Sequence, residues 1–119
     1  SGEKIDSFPC LSKHEMYARI GEASAALADW SDRSFEERGE VLRAVARQLR
    51  AEKHDLAQLM ALEMGKPIRE GVPEVEKAAF CAEFYADNAE KFLTRDTIES
   101  DASLSYVCYQ PLGTLLGIL

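Results

Sequence analysis

The residues that could do chemistry are few. The chain carries three cysteines, Cys10, Cys81 and Cys108, and two histidines, His14 and His54. A thiol becomes a good nucleophile where its thiolate is favoured, at a helix start or beside cationic groups. None of the three cysteines stands in such a context or in a glycine-rich turn. Their odd number matches no metal-ligand or redox spacing and reads as thiols of a reducing compartment. Both histidines fall in polar helical stretches with no second ligand at a suitable spacing. We therefore expect no catalytic residue and no metal site within these 119 residues.

Two further patterns could be taken for sites. The run Glu63, Met64, Gly65, Lys66, Pro67 places a lysine beside a glycine. It reads as a helix stop: glycine for a left-handed turn, lysine at the negative helix end, proline to prevent resumption. A catalytic role for the Lys66 amine needs apolar burial to lower its pKa, and no such signal surrounds it. Gly113 and Gly117 form a G-x-x-x-G pattern, but no helix follows them in this chain, so the context of a phosphate-binding loop is missing. Arg33, Arg38 and Arg43 read as a solvated or ion-paired face rather than an anion site. Phe80, Phe84 and Tyr85 read as core rather than a ligand box.

The elements that must position these residues follow from pattern. The chain is 46% hydrophobic and 29% charged with a net charge of −7, the profile of an ordinary soluble domain. Basic residues are interspersed with acidic ones, which argues against nucleic acid and anionic membranes as partners. No apolar stretch reaches the roughly 20 residues that span a bilayer, and the start has no signal-peptide core. A cytoplasmic location is expected.

Ser12 with Glu15, and Ser34 with Glu37, fit capping boxes. The first opens a helix whose stripe is Met16, Ile20, Ala23, Leu27 and Trp30, with small residues over 23–28 that let another element approach. The second opens a long helix with the stripe Val41, Leu42, Val45, Leu49, then Leu56, Leu59, Met60 and Leu62, breakable near 51–53 and stopped by Gly65. A third helix is expected to start around 71–73, where proline suits a first turn, and to end near Leu93. Its buried face would be Val75, Ala78, Ala79, Ala82, Tyr85, Ala89 and Phe92.

The period then changes. Residues 97–99 and 103–110 read as two short antiparallel strands around an acidic turn. Pro111 to Gly113 turns the chain into 114–119, an apolar run with no polar face, of the kind found inside a parallel sheet covered on both sides. Three helical segments, a strand pair and one buried strand read as the opening of a larger α/β protein, and the rest of its sheet is not in this chain.

The ordered motifs now point to a family. Trp30, then Ser34 to Arg38, Val41 and Leu42, Leu56 to Leu62 running into Glu63 to Pro67, Glu74 to Lys77, Phe84 to Glu90, and Ser105 to Gly113 closely resemble the N-terminal region of the NAD(P)-dependent aldehyde dehydrogenases. The wording of 105–113 is most similar to the succinate-semialdehyde dehydrogenase branch.

The resemblance implies an N-terminal piece of an α/β oxidoreductase. Residues 1–96 would be the helical part of the cofactor-binding domain, 97–110 strands of a bridging or oligomerisation region, and 111–119 the first strand of the dinucleotide-binding sheet. By the same resemblance Ile118 and Leu119 touch the cofactor, NAD or NADP, through backbone and apolar atoms. The family's catalytic cysteine and general-base glutamate would lie beyond Leu119. The isolated chain is then expected to be inactive and to bind no cofactor tightly. An aldehyde, succinate semialdehyde foremost, would be the substrate, and a homo-oligomer through the strand region the assembly. The alternative is a helical fragment acting as a non-catalytic interaction or oligomerisation module.

Overall fold

The computed structural model describes residues 2 and 4–118. Four helices lead the chain: α1 (Lys13–Asp32), α2 (Phe35–Ala51), α3 (Lys53–Met64) and α4 (Ile68–Leu93). Two short strands follow, β1 (Asp96–Thr97) and β2 (Tyr106–Val107). The chain forms two compact units, one of α1 with the final segment, the other spanning Arg33–Gln110. Among the described residues no helix is long and apolar enough to cross a membrane.

Local signals set the helix ends. At α2 the Ser34 hydroxyl accepts the Glu37 backbone N–H (3.2 Å), while the Glu37 carboxylate accepts the Ser34 backbone N–H (2.8 Å). Both are donors that a helix N-terminus would otherwise leave unpaired. The same reciprocal pair joins Ser12 and Glu15 at the start of α1. The Ser12 hydroxyl, then its backbone N–H, hold the Glu15 carboxyl below the ordinary carboxylate range. Gly65 closes α3 at φ 74°, a left-handed conformation that glycine adopts without steric cost, its N–H donating to the Ala61 carbonyl.

The long second helix is broken at Glu52, whose φ of −101° and ψ of 8° depart from helical geometry. The last helix begins a turn earlier than its proline predicts. Pro67 caps α4, its carbonyl accepting the Glu70 N–H (2.8 Å) and the Gly71 N–H (3.1 Å). The first turn is therefore complete before Pro73, whose missing N–H removes a single later bond.

The core of the second unit is made of small side chains. Ala46 on α2, Ala57 on α3, and Val75 and Ala79 on α4 are buried, with Gly39 and Gly71 among them. A Cβ on Gly71 would lie 2.9 Å from Ala57 Cβ, and one on Gly39 would lie 3.2 Å from the Ala86 carbonyl oxygen. Small residues thus let the backbones of α2 and α3 come close to α4. Val75 leaves water most completely among the larger side chains, worth about 1.5–3 kcal/mol.

The apolar stripes differ from the sequence reading: Met16, Ile20 and Trp30 on α1 are exposed, and so are Leu59 and Leu62 on α3. On α2 the inward line runs through Gly39, Leu42, Ala46 and Leu49, leaving Val41 and Val45 exposed. On α4 the inward line is Gly71, Val75 and Ala79, while Ala78 is exposed and Tyr85 (51% exposed) and Phe92 (47% exposed) turn outward. Backbones this close leave no room for an aromatic ring, so the rings gather on the opposite face. There Phe84 meets Tyr85 edge-on at 5.5 Å and Phe92 at 6.0 Å between ring centroids.

After α4 the chain forms the expected antiparallel pair, shorter than the periodicity predicts. Asp96 is opposite Val107 and Thr97 opposite Tyr106. The Ile98 N–H donates to the Ser105 carbonyl, and the Ser100 and Ser105 hydroxyls meet across the turn at 2.6 Å.

The strand expected over 114–119 does not form. Among the described residues, 114–118 have no regular secondary structure. Leu115, Leu116 and Ile118 are 78%, 87% and 88% exposed. A strand exists only through backbone bonds to a neighbour, and among the described residues the sheet consists of β1 and β2 alone. Leu119 lies outside the described residues.

Candidate functional site

The final segment, 111–118, carries Ile118, one of the two residues, with Leu119, on which cofactor contact was expected; Leu119 lies outside the described residues. The segment turns at Gly113, whose φ of 110° lies in the region that disfavours any side chain. The turn faces α1: Leu27 Cδ2 is 4.0 Å from where a Cβ on Gly113 would stand. One residue on, the Thr114 hydroxyl meets the Ser24 hydroxyl at 3.2 Å. The small-residue stretch of α1 is thus the surface that another element approaches, and that element is the chain's own final segment. The pairing joins residues 90 positions apart, and no local sequence signal could have named the partners. Beyond Thr114, Gly117 has open space around its Cα, and the Ile118 side chain is exposed.

The other candidates are scattered. Cys10 precedes α1, Cys81 lies on α4 and Cys108 follows β2, and all three are free, exposed thiols. His14 is on α1 and His54 on α3. Among the described residues no three His, Cys, Asp or Glu side chains converge as metal ligands. Lys66 is ion-paired with Glu74, just beyond the helix stop that Gly65 forms. Arg43 is paired, as expected of its face, with Asp87 (2.9 Å), Glu36 (3.0 Å) and Glu40 (2.7 Å). These carboxylates, Asp87 first, push the guanidinium pKa further up. Arg38 instead stacks over the Phe35 ring at 4.6 Å.

A second charge cluster was not anticipated. Arg50, at the end of α2, grips the Glu83 carboxylate with both terminal nitrogens and reaches Glu76 with its Nε at 3.1 Å. Lys53, at the start of α3, bonds the other Glu76 oxygen at 2.8 Å. Lys53, then Arg50, hold the Glu76 carboxyl below the ordinary range, and Arg50 does the same for Glu83. The cluster straddles the break at Glu52 and ties both of its flanks to α4. The available signal was the seven-residue spacing of Glu76 and Glu83, which puts them two turns apart on one helix face. Every cation here is matched by carboxylates, so the cluster is a structural clamp and offers no unpaired acid or base for catalysis.

Comparison with known proteins supplies what the geometry alone does not. The model of the aldehyde dehydrogenase family matches residues 1–119. The chain is 36% identical, over 119 residues, to a probable NADP(+) succinate-semialdehyde dehydrogenase of Synechocystis sp., covering 100% of this chain and 26% of that protein. It is 36% identical over 118 residues to the NADP(+) succinate-semialdehyde dehydrogenase of Deinococcus radiodurans, covering 99% of this chain and 25% of that protein. The fold superposes on the crystal structure of the Streptococcus pyogenes succinic semialdehyde dehydrogenase in complex with NADP+ with a TM-score of 0.82 at 28% identity, over 87% of this chain and 23% of that one. The chain spans about a quarter of the length of the curated relatives it matches.

Proposed function

The chain belongs to the aldehyde dehydrogenase family, and from that premise we propose that it acts as the N-terminal portion of an NAD(P)-dependent enzyme that oxidises succinate semialdehyde to the carboxylic acid. The observation that carries this reading is identity of 36% to a succinate-semialdehyde dehydrogenase along all 119 residues, not along one motif. In such an enzyme residues 1–96 form the helical part of the cofactor-binding domain. Residues 97–110 contribute to a bridging and oligomerisation region of a homo-oligomer. Residues 111–119 become the first strand of the dinucleotide sheet once neighbouring strands supply backbone partners. A cytoplasmic location goes with this reading.

The final segment suits part of a dinucleotide site. Gly117 leaves its backbone open to close approach, and Ile118 presents an exposed apolar side chain. Ile118 and Leu119 would contact NAD(P) through backbone and apolar atoms. NAD(P), when bound, accepts the hydride lost by the aldehyde carbon. The contribution of this chain is positional. Gly113 sets the turn, Ser24 and Leu27 border it, and the Arg50 clamp holds α2, α3 and α4 together. The exposed thiols Cys10, Cys81 and Cys108 take no nucleophilic role.

A chimera tests the reading. Residues 1–119 replace the matching segment of the Synechocystis relative, and the assembled protein is supplied with succinate semialdehyde and NADP. Reduction of NADP is the expected result. A chimera that folds with the parent's helical content and hydrodynamic size yet never turns over would overturn it.

A further inference from the structure

We draw no further inference here: the strongest candidate, the aromatic outer face of α4 formed by Phe80, Phe84, Tyr85 and Phe92, carries nothing because nothing in the structure shows what covers it.

Discussion

Gly71 on α4 lies so close to Ala57 on α3 that a Cβ added to the glycine would come within 2.9 Å of the alanine Cβ and 3.1 Å of its Cα. The second of these atoms is backbone, so the helices themselves must part to admit a methyl group. Gly71→Ala should therefore destabilise the chain. Overpacking of this kind costs about 1–3 kcal/mol, and the better helix propensity of alanine returns up to about 1 kcal/mol. Gly21 on α1 is the control, because nothing lies within 4 Å of its hypothetical Cβ. Gly21→Ala should be neutral or stabilising. Urea unfolding midpoints compare the two, and a Gly71→Ala variant more stable than the parent would show that the helices cross at a wider separation.

The Arg50 clamp predicts a pH signature. Glu76 and Glu83 have pKa values lowered in the folded chain. Their contribution is complete above the ordinary carboxylate pKa of about 4.3 and fades as pH falls through the lower folded values. Arg50→Met should lower stability at neutral pH, and the gap between parent and variant should close on acidification below about pH 4. Thermal melts from pH 7 to 3 read this directly. A gap that stays constant over the whole range would mean the carboxylates gain nothing from Arg50.

Removing one cap should be felt locally. Ser34→Ala deletes the acceptor for the Glu37 N–H and the hydroxyl that donates to the Glu37 carboxylate, while the bond from the backbone N–H of residue 34 to that carboxylate remains. A loss of about 1 kcal/mol is expected, with faster amide exchange confined to the first turn of α2. Unchanged exchange at residues 35–38 would argue that another group takes over the cap.

The final segment should behave as a surface awaiting a partner. Leu115, Leu116 and Ile118 are almost fully exposed and uncharged, and unpaired apolar backbone can template pairing with another copy. Amides of 114–118 should exchange faster than those of α2 and α4. The chain should self-associate as its concentration rises, and Leu116→Lys should shift it toward the monomer. Light scattering on both variants decides between this and a monodisperse, monomeric parent, which would contradict it.

The isolated chain should give no steady reduction of NAD or NADP with succinate semialdehyde, and calorimetry should detect no tight cofactor binding. Sustained turnover that survives rigorous removal of host dehydrogenases, or micromolar affinity for NADP, would mean that these residues hold a complete site.

What the sequence determined by itself was whatever depends on neighbours along the chain. The Ser12–Glu15 and Ser34–Glu37 boxes and the left-handed stop at Gly65 are contacts across three or four residues, so the residue types and their spacing suffice to specify them. Family membership was legible for a related reason: several short motifs in a fixed order are information that no folding is needed to read. Tertiary structure alone decided which distant groups meet. That Arg50 takes Glu83 and that Gly71 rather than an aromatic lies under Ala57 depend on how far apart the helix axes come to rest, and that Thr114 meets Ser24 depends on where the final segment runs along α1. The close approach turned Tyr85 and Phe92 outward, against the face their periodicity indicated. The same principle governs residues 114–118. Their apolar pattern is that of a buried strand, but a strand is a relation between two backbones, and a single run of side chains cannot supply the second one.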